Sequence, residues 1–320
     1  MSLAPYVRIL GRGPGRSRGL SRDEAAEAMT VVLEGKAAPE ATGAMLMLLR
    51  MKGETPDEIA GFVTAARATI PSLPRPALDW PSYAAGRTRG LPWFLLAARL
   101  VAQAGYPVLL HGWNSHQQGH ACVRGVLGHA GIVAATPATL SETLQRDRIS
   151  YLPLESFAPQ LLGLLQLRDV LGLRSCINTV LRVLNPAQAA AGVQGVFHPP
   201  YRELQADAGV LLGQQSLTII KGGGGEFERH PCKAVQAYGL RDATRWEAAF
   251  DALLPETRRL NDGADDPARL AALWNGTLDD SFAERVVTGT AALALHTLGV
   301  PEADTTAQAL WADRCRSKAA

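Results

Sequence analysis

The chain carries only 4 cysteines in 320 residues, and Cys122, Cys176, Cys232 and Cys315 stand far apart with no Cys-x-x-Cys pair. That excludes a disulfide framework and a thiolate zinc site, and it fits a reducing cytoplasm. Long apolar runs are missing too. The longest, around Val286–Val300, covers about 15 residues and contains His296, whereas a bilayer-spanning helix needs roughly 20. The first apolar stretch is short and gives way to the Gly/Arg-rich segment 11–19, which is not a signal peptide. The expectation is a soluble, cytoplasmic protein with no membrane partner.

Acidic residues are absent from one long interval. Between Asp79 and Glu142 there is no carboxylate, only Arg87, Arg89, Arg99, Arg124 and the histidines 111, 116, 120 and 129. Lysine is scarce as well, 5 against 27 arginines. The net charge of +2 conceals an asymmetry: residues 1–241 hold 24 Lys/Arg against 17 Asp/Glu, residues 242–320 hold 8 against 13. A GC-rich genome with buried segments accounts for the arginine bias. The acid-free interval is explained better by a local positive field that attracts phosphates.

A hydrophobic share of 47% over 320 residues allows a large core and two domains. The first 75 residues predict three helices. Ser21 with Glu24 and Thr55 with Glu58 are capping boxes, the second followed by Pro56 at the first helical position. Pro39 opens the helix between them and Gly53 lies past its end. The Pro71–Pro76 stretch reads as a linker. Beyond it the rhythm is α/β: a helix over 91–104, strands at Pro107–His111, Gly131–Ala134, Val193–Phe197 and Ser216–Ile220, and a helix over 201–212. The last 75 residues read as mainly helical, with an acidic loop at Asp262–Asp266.

Residues 157–187 interrupt this rhythm with a helix, a Leu171-Gly172 break, a second helix and an Asn185-Pro186 stop. They bring Arg168, Arg174 and Arg182 together among apolar residues. Guanidinium groups are permanently charged and grip phosphate or carboxylate bidentately, so the set suggests an anion site. Three loops follow predicted strands, where open α/β sheets bind ligands: Ser82–Gly90, His111–Gly119 and Lys221–His230. The first offers Arg87 and Arg89. In the second, Trp113 could stack on a base or simply pack, and His116 with His120 is far more often a structural pair than a metal site. In the third, Gly222, Gly223, Gly224 and Gly225 behind Lys221 make either an anion nest or a mobile loop, and Glu226 and Glu228 could offer oxygen ligands to a metal.

The segment 171–187 resembles the LGxRTxxNxxxxLxNPA stretch of the anthranilate phosphoribosyltransferase family. The resemblance extends over nearly the whole chain. It implies a small, discontinuous N-terminal helical domain (1–75 with 159–185) and a large α/β domain (76–158 with 186–320) whose central sheet is mainly parallel and flanked by helices. It also implies dimerisation through the N-terminal helices. The family's GTGGDG phosphate cradle corresponds here to Tyr83–Gly90, with two glycines left, no Asp, and Arg87 and Arg89 in their place. Its KHGNR loop corresponds to Leu110-His111-Gly112-Trp113-Asn114, without either cation. Its Asp-Glu pair for Mg²⁺ corresponds to Glu226 and Glu228 at altered spacing, and its HPAMK stretch is replaced by Leu161–Leu165. The loop Ser82–Pro92, His111-Gly112 and the glycine run at 221–226 resemble the YbiB-like branch of that family, whose members are implicated in nucleic-acid binding.

The resulting expectation is a phosphoribosyltransferase-fold homodimer with a degraded donor site, binding nucleic acid without sequence preference. Its phosphate contacts would come from Arg87, Arg89, Trp113, Arg168, Arg174, Arg182, Lys221 and Gly222–Gly224, with no cofactor and no assigned catalytic residue. The alternative is an active glycosyl or phosphoribosyl transferase using phosphoribosyl pyrophosphate and Mg²⁺, with Glu226 and Glu228 as metal ligands and an unidentified acceptor. A scaffold that keeps only the fold is the third.

Overall fold

A computed structural model describes residues 2–13, 15–83, 90–113, 122–261 and 265–315. Four helices open the chain: α1 (Ala4–Gly11), α2 (Arg22–Leu33), α3 (Pro39–Lys52) and α4 (Pro56–Arg67). α2 and α4 begin at the two capping boxes, with both reciprocal hydrogen bonds formed. α1 is an addition to the three helices that the pattern predicts; its short amphipathic run buries only Leu10. α2 and α4 pack closely at Gly61, where a Cβ would lie 2.3 Å from the Arg22 carbonyl oxygen. The buried Glu58 ties the bundle together: its carboxylate accepts from Leu20 N at 2.9 Å and from Thr55 N at 2.8 Å.

The sheet has seven strands: β1 (Leu78–Ser82), β2 (Val108–Gly112), β3 (Ile149–Pro153), β4 (Ala191–Val196), β5 (Ser216–Lys221), β6 (Val235–Arg241) and β7 (Thr244–Phe250). Their order is β3-β2-β1-β4-β5-β6-β7. The first five run parallel, and β6 and β7 add an antiparallel edge. The parallel strands are buried almost throughout, as expected where helices cover both faces. The remaining helices are α5 (Phe94–Gln103), α6 (Val123–Val126), α7 (Leu140–Asp147), α8 (Leu154–Phe157), α9 (Pro159–Leu171), α10 (Ile177–Val183), α11 (Tyr201–Leu211), α12 (Ala268–Asn275), α13 (Ser281–Thr297) and α14 (Ala303–Asp313). One apolar cluster joins the sheet to α5, α12, α13 and α14. A second joins the N-terminal helices to α8, α9 and α10 and to Leu109 and Leu152 on the other sheet face. Among the described residues, no helix is long and apolar enough to cross a membrane.

One strand expectation needs correction, and one strand was not foreseen. Gly131–Ala134 is not a strand: it forms only the single bridge Ala134–Tyr151 after a tight turn ended by Gly131 at φ 70°. Pro137 follows too soon for a ladder to continue. β1 is a strand although Pro81 lies inside it. Its pairing with β4 covers only Leu78–Ala191 and Asp79–Gly192, so Pro81 lies beyond the ladder on that side and its missing N–H is tolerated. β1 and β4 therefore part toward their carboxyl ends. That is also where strand order reverses, the point at which open α/β sheets form a crevice.

Candidate functional site

Residues Glu226–Glu228 fill the gap between the parting strands. A Cβ on Gly195 of β4 would lie 2.0 Å from the Glu226 carbonyl carbon, so only glycine lets this segment cross. Glu226 Oε1 accepts from Ser82 Oγ at 3.2 Å. Phe227 meets Trp80 edge to face at 5.4 Å. Glu228 Oε2 accepts from Phe94 N at 2.9 Å, giving α5 the N-terminal carboxylate that its own cap residue Trp93 cannot supply. Both acids are buried, 1% and 0% exposed. Mg²⁺ demands near-octahedral oxygen donors and retains several waters. Two inward carboxylates held by protein donors do not fit that requirement.

The glycine run is closed upon itself. The N–H groups of Gly222, Gly223, Gly225 and Glu226 donate to the carbonyls of Val196, Glu228, Gly222 and Gly223. Lys221 stands exposed at the end of β5. Trp113 is half-buried against the second apolar cluster. Arg87, Arg89, His116 and His120 lie outside the described residues.

The helical pair does gather its arginines. Gly172 takes the left-handed conformation at φ 69° and donates to the Arg168 carbonyl at 2.8 Å, turning the chain between α9 and α10. Arg174 follows in the connection, and Arg182 lies in the last turn of α10. Burial depresses the Arg174 guanidinium first, and Arg168, Arg182 and Arg50 depress it further, so four cations sit within electrostatic reach. Arg168 Nη1 is buried with no hydrogen-bond partner among the described residues. Arg182 is 7% exposed and donates from Nη2 to the Tyr83 carbonyl at 2.9 Å. Its pKa is depressed by burial and supported by Glu226, Tyr201 and Tyr83.

Arg174 and Arg182 border a cavity of about 90 Å³ lined also by Arg50, Ser175, Asn178, Thr179, Val196, Phe197, His198, Tyr201 and Gln205. Phe197 is 46% exposed and meets His198 edge to face at 4.9 Å. Tyr201 donates to Glu54 at 3.3 Å, and burial pushes both groups' pKa values up. Arg50, Glu54, Phe197, His198, Tyr201 and Gln205 escaped the sequence reading. The Phe197-His198-Pro199-Pro200 loop carried a usable signal, since it leaves a predicted strand at its carboxyl end; Arg50 carried none.

A buried polar chain lies at the carboxyl ends of β1 and β2. His111, 0% exposed, has Nδ1 2.9 Å from Tyr83 Oη and Nε2 3.2 Å from Asp79 Oδ1, the latter contact poorly aligned for a hydrogen bond. A Cβ on Gly112 would lie 2.0 Å from the Ser82 carbonyl oxygen. The His-Gly pair thus has a packing role here whatever the loop beyond it does.

Comparison with known proteins agrees with this architecture. Residues 4–70 match the helical bundle domain of a glycosyl transferase family. An uncharacterized protein of Aquifex aeolicus is 34% identical over 66% of this chain and 65% of its own length. An anthranilate phosphoribosyltransferase of Metallosphaera sedula is 31% identical over 66% of this chain and 62% of its own. The chain thus spans slightly under two thirds of these relatives. The crystal structure of anthranilate phosphoribosyltransferase from Thermus thermophilus superposes with a TM-score of 0.81 at 22% identity, covering 98% of this chain and 95% of that one, which establishes the fold. The chain thus carries the helical bundle domain of a glycosyl transferase family, has the fold of anthranilate phosphoribosyltransferase, and is similar in sequence to members of that family.

Proposed function

We propose that this chain is a homodimer of the YbiB-like branch that binds nucleic acid through phosphate contacts in the arginine-lined crevice, without reading sequence. The observation that carries the reading is the convergence of Arg50, Arg168 and Arg182 on Arg174, whose guanidinium their like charges depress, beside the cavity that Arg50, Arg174 and Arg182 line. A bound polyanion relieves that repulsion. Phe197, half exposed at the same crevice, adds a stacking face for a base, a contact worth about 1–3 kcal/mol. The sequence supports loss of the sugar-phosphate donor: the stretch 83–90 replaces a glycine cradle by Arg87 and Arg89, and the amides of Gly222, Gly223, Gly225 and Glu226 are spent on carbonyls.

Anisotropy titration with an oligonucleotide tests this. Arg50→Glu with Arg174→Glu should weaken all sequences alike and flatten the log–log salt dependence by roughly 0.7 per lost contact. Phosphoribosyl pyrophosphate with Mg²⁺ should bind no tighter than about millimolar, near −4 kcal/mol. Micromolar binding of that donor, or turnover of anthranilate, returns the alternative of an active transferase. What favours that second reading is the small cavity itself, where Arg174, Asn178, His198 and Tyr201 could seat a planar acid as acceptor.

The dimer reading draws on the exposed apolar side chains Met51 (81%), Val170 (81%) and Leu173 (49%) at the ends of α3 and α9, helices that meet where the Leu171 side chain lies 3.7 Å from the Cβ position of Gly43. Met47 and Leu48 pack partly into their own core, so Met51 is the better probe. Met51→Glu with Val170→Glu should sediment as folded monomer; an unchanged dimer moves the interface elsewhere.

A further inference from the structure

At the opposite edge of the sheet, where the five parallel strands begin, three grooves run into one another. The first, about 170 Å³, lies under β4 and β5 and holds Arg67 and Arg75. The second, about 310 Å³, lies under the starts of β1, β2 and β3, shares Arg75 and adds Arg148. The third, about 490 Å³, shares Arg148 and adds Arg99 and Arg146. Shared walls make them one row.

The guanidinium groups are held in place mainly by neutral partners. Arg67 Nε donates to the Leu184 carbonyl at 2.7 Å, with the buried Asp79 behind it. Arg99 donates to the Ala130 carbonyl at 3.0 Å and lies over Trp274 at 3.9 Å. Arg148 donates to the Gly105 carbonyl at 3.2 Å. Arg75 makes no hydrogen bond or ion pair with a described residue. Among the described residues only Arg146 of this set forms an ion pair, with Asp147 at 2.9 and 2.7 Å, and Asp147 is the one carboxylate lining the three grooves. The carboxyl ends of α4, α5, α7 and α11 also reach this edge, each contributing about half a negative charge. They and the two aspartates offset much of the charge of the five arginines, but the exposed Arg75 and Arg148 keep theirs with no carboxylate partner among the described residues. Neutral anchors orient these cations without discharging them.

We infer that this row is a track for single-stranded nucleic acid, gripped by its phosphates. It extends the nucleic-acid reading to a second surface, distinct from the crevice, since ligands of such folds take the carboxyl edge. Grooves suit a single strand better than the flat face of a bilayer, and no large exposed apolar side chain lines them.

The test is anisotropy with a poly(dT) oligonucleotide of about 30 nucleotides across a salt series, using the full chain. Arg75→Glu is exposed and unpartnered, so it leaves the fold intact and should weaken binding about fivefold at ~0.1 M salt. Arg75→Glu with Arg148→Glu should weaken it more than about twentyfold and flatten the salt slope by roughly 0.7 per lost contact. Arg174→Glu separates the two surfaces. If only the crevice variant weakens binding, the track is overturned and the crevice stands. If only the track variants do, the crevice reading falls and the track stands. Capture by phosphatidylglycerol vesicles that Arg75→Glu abolishes, with oligonucleotide binding unchanged, overturns the assignment of its occupant.

Discussion

Replacing Arg182 by methionine should lower the unfolding free energy by about 3–5 kcal/mol, the usual consequence of removing one member of a buried charged set. The side chain is 7% exposed and holds the Tyr83 carbonyl at 2.9 Å, fixing the chain just past the end of β1. Glu226, 1% exposed, supports the guanidinium charge, so methionine weakens the compensation of that buried carboxylate. Urea denaturation measures the loss, and adding Glu226→Gln should restore part of it, because the two sites are coupled. A loss under about 1 kcal/mol means that Arg182 is not committed to the fold and is free to serve a ligand. Arg174→Glu gives the contrast: half exposed and crowded by cations, it should leave stability nearly unchanged while binding of polyanions falls.

Arg182 also marks where the sequence stopped being readable. The helical pair was legible because its signals are local: the Gly172 break, the Asn185 stop at φ 40°, and three arginines within one short stretch. Sequence spacing could not tell that Arg182 is a structural cation and Arg174 an accessible one, since that depends on Glu226 and Tyr83 from elsewhere in the chain. Arg50 and Tyr201 reach the cavity from helices far apart in sequence, and Glu54 meets Tyr201 from the connection between α3 and α4; nothing local announces them. Glu228 read as a possible metal ligand by its neighbourhood, whereas the fold turns its carboxylate onto Phe94 N.

The strands show the same division. β2, β4 and β5 were visible as apolar runs ending within two residues of their observed limits. β1 was hidden by Pro81. The β6–β7 hairpin was hidden by its turn, Asp242-Ala243, which takes positive φ at both residues (48° and 59°) without the glycine that usually signals such a turn. The three-helix reading of the N-terminus missed α1, whose eight residues carry no side-chain cap.

Gly195→Ala should be among the most damaging single changes in the large domain, and Gly192→Ala on the same strand among the mildest. At Gly195 a Cβ would lie 2.0 Å from the Glu226 carbonyl carbon, 2.3 Å from its oxygen and 2.4 Å from Phe227 N. These are backbone atoms and cannot rotate aside. The segment they belong to carries Glu226, the core residue Phe227 and the carboxylate that caps α5, so displacing it disturbs three attachments together. Overpacking a core costs about 1–3 kcal/mol when side chains can yield; here the loss should be about 4 kcal/mol or more, with lowered yield of folded protein. At Gly192 the nearest atom to a Cβ is 3.6 Å away, an ordinary contact, and alanine should shift stability by less than about 1 kcal/mol. Denaturation of the two variants side by side decides the matter. Equal effects mean that the 226–228 segment does not cross β4 this closely, and the buried placement of Glu226 and Glu228 falls with it. That would reopen them as ligands for a metal. If Gly195→Ala alone collapses stability, the segment is fixed in the switch-point gap, with both carboxylates buried inside it.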